Sequence, residues 1–175
     1  MIPKSLGWTL LVLWAVSILT ALLVYGQRQL SEFDPNGNLL HQSTSPTFDE
    51  DVIALLKDNG VSAGTIVHIG TSQDCYCETL TAPHQTQLIE RFNLLDFSLK
   101  TFNIENTPSL KRIFSRVPAL MIVDNEFRLR YLGPYATGYG CFTGKNLVER
   151  IVTYTQSSPY QGAVVNADAE GCFCS

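Results

Sequence analysis

Cysteines are the residues of this sequence most able to do chemistry, and their spacing separates them into two close pairs and a single residue. The five are Cys75 and Cys77, Cys141, and Cys172 and Cys174. An odd number in this arrangement does not suggest a simple disulfide framework. Two Cys-x-Cys pairs instead favour either dithiol redox chemistry or the binding of a soft metal ion such as Cu(I).

Length, composition and charge narrow the classes of protein that could carry these cysteines. The chain has 175 residues, of which 45% are hydrophobic and 16% charged, and its formal net charge is −4. That length suits one domain with appendages. Nucleic-acid binding is not expected, because the sequence offers no cluster of Lys and Arg to neutralise phosphates.

An apolar segment near the N-terminus predicts a membrane anchor. Leu6–Tyr25 carries no charged residue, and about 20 apolar residues in a helix cross the hydrocarbon core of a bilayer. Lys4 precedes the segment, which favours an N-terminus in the cytoplasm and a domain outside it. A cleavable signal peptide is the alternative, but the apolar run is longer than such peptides usually have.

The pattern of the remaining chain predicts four regions. Asp34-Pro35-Asn36-Gly37-Asn38 is rich in turn formers, which is typical of a tether. The last 20 or so residues resemble a flexible tail that ends in the second cysteine pair. We therefore expect an anchor over residues 1–28, a linker over 29–45, a folded domain over 46–155 and a cysteine-containing tail over 156–175.

Hydrophobic periodicity predicts an α/β order for the folded domain. Thr47 and Glu50 have capping-box spacing at the start of a helix. Helices are predicted over 47–58, 78–92, 108–114 and 145–154, and strands over 65–70, 97–102, 119–123 and 127–132, the last two joined by a tight turn at 124–126.

This order of elements, with its cysteines and one proline, resembles the thioredoxin superfamily over nearly all of the soluble part. Cys75 follows a buried strand and opens a helix, and Pro83 lies eight residues beyond it, as in that family's helix. Val117-Pro118 before a strand resembles the family's cis-proline signature. The chain is similar to membrane-anchored thioredoxin-like proteins of Gram-negative bacteria that carry a CxC motif.

The resemblance implies a fold, a site and a location. The fold would be a central mixed sheet flanked by helices. Cys75 would be the exposed nucleophile, Cys77 the resolving thiol, and Pro118 would mark the place where a partner peptide lies. The activity would be thiol–disulfide exchange with protein thiols or disulfides, without a cofactor, in the periplasm and tethered to the inner membrane.

Two departures from the family's pattern bear on reactivity. The motif is CxC where the family usually has CxxC, and Asp74 replaces the tryptophan commonly found before the first cysteine. A disulfide closed over one intervening residue would be strained and easily reduced. A neighbouring carboxylate, in contrast, disfavours the thiolate.

Three further groups have two or more interpretations each. His68 stands near the position of the family's buried acid, where it would relay a proton to Cys77, or it is a hydrogen-bonded core histidine. Cys141 lies in a glycine-bearing loop and would form an alternative disulfide with Cys75 or Cys77, or is a lone buried thiol. The tail pair is a shuttle arm, a structural disulfide, or a lipid- or metal-binding tail.

Two other functions remain open at this stage. A copper-binding protein would use Cys75, Cys77 and Cys141 as thiolate ligands, because soft thiolates favour Cu(I). A non-catalytic thioredoxin-like binding module would hold a partner in the groove beside Pro118 and use its cysteines structurally.

Overall fold

A computed structural model of the chain describes residues 4–28, 30–138 and 145–175. The first element, helix α1 (Lys4–Arg28), contains a stretch of 21 residues from Ser5 to Tyr25 with a mean hydropathy of 2.2. Its side chains are exposed along the whole stretch. By length and composition this helix can cross a membrane, as the sequence predicts.

The centre of the molecule is a mixed sheet of five strands. They are β2 (Thr65–Gly70), β3 (Ser98–Asn103), β4 (Ala119–Val123), β5 (Leu129–Gly133) and β8 (Val164–Val165), in the order β3-β2-β4-β5-β8. β2 runs parallel to β3 and antiparallel to β4, β4 is antiparallel to β5, and β5 is parallel to β8. The prediction of an α/β domain with a mixed sheet is confirmed.

Helices cover both faces of this sheet. α3 (Phe48–Asp58) and a short 3₁₀ helix (Leu110–Arg112) pack on one face, while α4 (Tyr76–Asn93) and α5 (Val148–Gln156) pack on the other. Alternate residues of the central strands point to opposite faces, so each face has its own hydrophobic cluster. The predicted helix over 145–154 begins later, because Lys145–Asn146 form strand β7 with β6 (Ala136–Thr137).

The capping box expected at α3 does not form. Thr47 is the N-cap residue, but its hydroxyl makes no capping hydrogen bond and instead donates to the carboxylate of Asp51 at 2.9 Å. Acidic residues still fill the first turn, where they complement the helix dipole.

Both segments that flank the predicted domain belong to the fold. The region expected to be a linker contains β1 (Ser31–Glu32) and α2 (Asn38–Ser43), and its Phe33 and Leu39 are buried. The region expected to be a flexible tail supplies β8 and β9 (Glu170–Gly171), and β9 pairs antiparallel with β1. Isolated apolar residues in polar surroundings give no periodicity, so the sequence pattern did not indicate this packing.

The turn between β4 and β5 is organised by the buried carboxylate of Asp124. Its Oδ2 accepts hydrogen bonds from the guanidinium groups of Arg130 at 2.6 Å and Arg128 at 2.9 Å. Its Oδ1 accepts the backbone N–H groups of Glu126 and Arg128, both at 2.9 Å. Burial of Asp124 opposes ionisation, but these hydrogen bonds together hold its pKa below the ordinary value.

We expect Asp124→Asn to lower the free energy of unfolding by about 2 kcal/mol at neutral pH, because Arg130 would keep a buried charge without an ionised partner. A lowered pKa in the folded state stabilises the fold above the ordinary carboxyl pKa, and that stability is lost as pH falls through the folded pKa. The gap between the two proteins in urea unfolding of the full chain in detergent should therefore narrow below about pH 4. An equal gap at neutral and acid pH would contradict this account.

Candidate functional site

The first cysteine pair lies where β2 ends and α4 begins. Cys75 is the N-cap residue of α4, with an extended backbone (φ −112°, ψ 104°), and its carbonyl accepts the N–H of Glu78 at 3.1 Å. Cys77 lies in the first turn and is buried, whereas Cys75 is half-buried. The unpaired N–H groups at a helix N-terminus favour negative charge, so this position stabilises a thiolate whenever a sulfur here is reduced.

The second cysteine pair lies directly against the first, and each of its members is bonded to one member of the other pair. Cys75 is joined to Cys174 and Cys77 to Cys172, across sequence separations of 99 and 95 residues. The Cα–Cα distances of 6.2 Å and 5.3 Å are ordinary for disulfides. No bond joins Cys75 to Cys77, so the strained local ring considered from the sequence is not present.

The backbone of the C-terminal segment also pairs with the core beside the disulfides. Val117 donates its N–H to the carbonyl of Cys174 at 3.0 Å, and Cys174 donates its N–H to the carbonyl of Val117 at 2.7 Å. The Val117–Pro118 peptide bond is cis. Pro118 therefore follows the residue against which the segment lies in antiparallel fashion.

Phe173, between the two bonded cysteines, fixes the segment by packing. Its ring is 9% exposed and makes an edge-to-face contact with Phe33 at a centroid distance of 5.1 Å. Phe33 contacts Phe114 in the same geometry at 6.1 Å. Burying one large apolar side chain contributes about 2 kcal/mol, so the segment is held by packing as well as by covalent bonds.

His68 lies under the start of α4 in a small polar cluster. Its Nδ1 is 3.0 Å from the hydroxyl of Tyr135, and its Nε2 is 3.4 Å from the carboxylate of Glu78, the residue after Cys77. Burial raises the pKa of Tyr135, so its hydroxyl stays protonated and is able to donate to Nδ1. A proton on Nε2 then faces the Glu78 carboxylate.

Gly70 makes room for this cluster at the end of β2. A Cβ at that position would lie 2.6 Å from Glu78 Oε1 and 2.9 Å from His68 Nε2. The same Glu78 oxygen accepts the N–H of Thr71 at 3.1 Å. Glu78 thus ties the loop before Cys75 to the histidine beneath it.

Glu105 holds the rest of that loop. Its carboxylate accepts a hydrogen bond from the Thr71 hydroxyl and another from the N–H of Ser72 at 3.3 Å. The Thr71 hydrogen bond is the main reason that the pKa of Glu105 lies below its ordinary value. A charged carboxylate therefore braces the turn that carries Asp74 and Cys75.

Three sulfur atoms of the oxidised site lie close together, and two of them, those of Cys75 and Cys174, are bonded to each other. The Sγ atoms of Cys75, Cys77 and Cys174 all lie within 4.8 Å of one another. Cys141, the third thiolate of the copper site considered from the sequence, falls outside the described residues, as do all of residues 139–144.

The site contains residues that sequence reasoning missed. Glu78, Glu105 and Phe173 were not singled out, and the direct bonding of the two cysteine pairs was not foreseen. The one available signal was that both pairs have the same one-residue spacing, which lets them bond in opposite order with a single residue between the bonds on each side.

Comparison with known proteins gives a family but no activity. Residues 44–175 match the family model described as Domain of unknown function (DUF6436). No curated protein and no solved structure matches the chain.

We expect disulfide mapping to give the nested connectivity, Cys75–Cys174 and Cys77–Cys172. The sequence makes the test direct. Chymotrypsin cuts after Tyr76 and after Phe173, which separates the two cysteines of each pair. After blocking free thiols in acid, the peptide ending at Tyr76 should be linked to Cys174-Ser175, and the peptide beginning at Cys77 to the one ending at Phe173. Links of Cys75 to Cys77, or of Cys75 to Cys172, would contradict the structure.

Proposed function

This chain belongs to the DUF6436 family, and from its four bonded cysteines we propose that it is a thiol–disulfide exchange protein. One observation carries the proposal. Both cysteines at the N-terminus of α4 are bonded to the cysteines of a C-terminal segment, Cys75 to Cys174 and Cys77 to Cys172. Such an arrangement places two exchangeable disulfides, with a capacity of four electrons, at a position that favours thiolates.

The proposed fold is thioredoxin-like. Supporting it are the order β3-β2-β4-β5, the parallel pairing of β2 with β3, and the antiparallel pairing of β4 with both its neighbours. The position of the cysteine pair between β2 and α4, with Val117-Pro118 just before β4, also supports it. The dithiol and the peptide-pairing residue then lie beside each other.

We assign the first step of exchange to Cys75. A partner thiolate attacks Cys75 Sγ, the Cys75–Cys174 bond breaks, and Cys174 leaves as a thiolate that takes up a proton. A second partner thiolate attacks the partner's own sulfur in the mixed disulfide and releases Cys75. Two electrons pass from the partner to this protein, and the reverse sequence reduces a partner's disulfide.

The second disulfide makes this step compatible with a folded protein. While Cys77 and Cys172 stay bonded, opening Cys75–Cys174 frees little chain, because only Tyr76 and Phe173 lie between the two bonds. Cys174 then stays close to Cys75 at high effective concentration. The exchange of one bond therefore leaves the segment in place.

His68 and Glu78 suit the proton transfers that accompany exchange at Cys77. Their contact at 3.4 Å lies one residue along the chain from the buried sulfur, and the histidine is itself only 6% exposed. One nitrogen of the imidazole faces the Tyr135 hydroxyl and the other faces the Glu78 carboxylate, so the ring is placed to relay a proton. This is the relay interpretation of His68, with Glu78 as an added participant.

The proposed location is the periplasmic side of the inner membrane. α1 would anchor the chain, with Lys4 on the cytoplasmic side. Disulfides persist in oxidising compartments and are rare in the cytoplasm, so the two disulfides favour a domain outside the cytoplasm. Partners would be the thiols or disulfides of other proteins there.

Binding of Cu(I) is a second candidate function, favoured by the group of three sulfur atoms within 4.8 Å. Three thiolates suit a soft monovalent ion, and the reduced protein would supply them from Cys75, Cys77 and Cys174. This set has Cys174 where the copper site expected from the sequence has Cys141, which lies outside the described residues.

We expect a glutathione redox titration of the folded full chain to convert the two disulfides reversibly, with four thiols appearing in the reduced form. Cys75→Ser removes the Cys75–Cys174 bond, so only Cys77–Cys172 should titrate and Cys174 should be a reactive free thiol. Leu94→Ala, at an exposed position just past the far end of α4, is the matched control and should titrate like the wild type. Disulfides that resist glutathione until the protein unfolds would refute the exchange function.

For the metal candidate, the reduced protein should compete with a Cu(I) chelator, and the oxidised protein should not. Loss of any one of the three clustered thiolates, by Cys75→Ser, Cys77→Ser or Cys174→Ser, should weaken Cu(I) binding at least tenfold. Cys172→Ser should weaken it less, because its sulfur is outside the group. Equal losses for all four variants would exclude the three-thiolate site.

A further inference from the structure

The C-terminal segment occupies a groove in the manner of an extended bound peptide. β9 pairs with β1, the Gly138 N–H donates to the carbonyl of Glu170 at 2.6 Å, and Cys174 exchanges two backbone hydrogen bonds with Val117. Backbone pairing of this kind holds any extended chain, whatever its side chains. The groove therefore contains backbone donors and acceptors that another peptide is able to use.

Side-chain selectivity in the groove comes from the residue before the bonded cysteine. Phe173 points into a cluster of buried side chains and touches Phe33. The hydroxyl of Ser31 is 3.4 Å from the carbonyl of Gly171 and 3.4 Å from the carbonyl of Phe173, so it contacts the backbone before and after that ring. Cys174 follows, with its sulfur on Cys75.

Beyond Cys174 the groove remains open. A pocket beside the disulfide is lined by residues that include Gln73, Lys111, Arg116 and Val117. A chain that continues past its cysteine therefore has room, so an internal segment of another protein fits here as well as a terminal one.

We propose that this groove, defined by Ser31, Phe33, Val117 and Cys75, is the binding site for a partner protein's extended segment in which an aromatic residue directly precedes the reactive cysteine. The inference rests on the proposed exchange function and names its substrate class. The C-terminal segment is then an internal competitor, because Phe173 fills the place that the partner's aromatic side chain takes. The partner's segment enters the groove when both disulfides are open and the C-terminal segment has left it.

The covalent step is a balanced exchange. In the reduced protein the Cys75 thiolate attacks the sulfur of the partner's cysteine in a disulfide. A bond forms between these two sulfur atoms, the partner's disulfide breaks, and the electron pair leaves on the partner's other sulfur, which is protonated by solvent. No outside oxidant or reductant is required to form this mixed disulfide. Its stability depends on whether the partner's aromatic residue and backbone replace the contacts of Phe173 and Cys174.

The test uses two full-length proteins in detergent. Both carry Cys77→Ser, Cys141→Ser, Cys172→Ser and Cys174→Ser, which leaves Cys75 as the one cysteine of the sequence. One of them also carries Phe173→Ala, which vacates the aromatic position. The probes are short peptides of sequence Glu-Gly-Ser-Phe-Cys-Ser, activated as a disulfide with thionitrobenzoate. Matched probes replace Phe with Gly or methylate the cysteine N–H, and thionitrobenzoate-activated cysteamine measures the intrinsic reactivity of Cys75.

With Phe173→Ala present, the Phe probe should form the mixed disulfide on Cys75 at least tenfold faster than the Gly probe, relative to cysteamine. Methylation of the cysteine N–H should remove most of this advantage, because it deletes the hydrogen bond that Cys174 makes to Val117. When Phe173 is retained, the advantage should fall several-fold. The reduced wild-type protein is assayed by the release of peptide thiol, and it should rank the probes in the same order. This measurement does not depend on whether the variants fold.

The outcomes separate this inference from the function on which it rests. If reduced wild type reacts with the Phe, Gly and methylated probes at equal rates, the aromatic–cysteine groove is refuted while exchange stands. If it reacts with none of them and not with cysteamine, the exchange function itself fails.

Discussion

The pair of nested disulfides is the constraint on which the rest of this structure depends. Cys75–Cys174 and Cys77–Cys172 tie the C-terminal segment to the first turn of α4, and through β9 they also bring β1 into the same layer. Closing a loop of about 100 residues stabilises a fold by about 5 kcal/mol in the chain-entropy description. The second bond adds much less, because the first has already brought the segments together.

This difference between the two bonds in their contribution to stability underlies the chemistry that we propose for the site. In the exchange that we propose, either bond alone would keep the segment in register, because Phe173 also packs on Phe33 and Cys174 also pairs with Val117. The other bond would then open and close with little change in the fold. On this proposal, structural stability and exchangeability, which usually conflict in one disulfide, are divided between two bonds that have one residue between them on each side.

Much of the core could be read from the sequence, and the reasons are physical. The strand around Ile122 is a continuous apolar run, the strand around Ile66 is rich in β-branched residues, and α5 has a clear apolar stripe, so the sequence pattern located them. Phe33 and Phe173 are single aromatic residues in polar segments, and no periodicity marks them. Segments held by disulfides and isolated side chains do not need the patterns from which folding is usually read.

The candidate site, too, could be predicted from the sequence only in part. Residue type pointed to Cys75, Cys77 and His68, because few side chains are nucleophiles or titrate near neutral pH. The contact of Glu78 with His68 could not be predicted in this way, because it depends on the direction in which α4 projects the Glu78 side chain, towards Gly70 and His68. Which cysteine bonds to which depends on contacts between residues nearly 100 positions apart, and spacing alone does not determine them.

The central claim is that the two nested disulfides exchange with thiols in the folded protein, and that the Cys75–Cys174 bond opens first, by attack at Cys75. The most direct measurement adds reduced glutathione in limiting amounts to the oxidised full chain, quenches with acid and maps the adducts by mass spectrometry. The account predicts glutathione on Cys75 and a free Cys174 while Cys77–Cys172 is still intact, with recovery of both disulfides on reoxidation. Adducts that arise first at Cys77 or Cys172, or none before the protein unfolds, would contradict it.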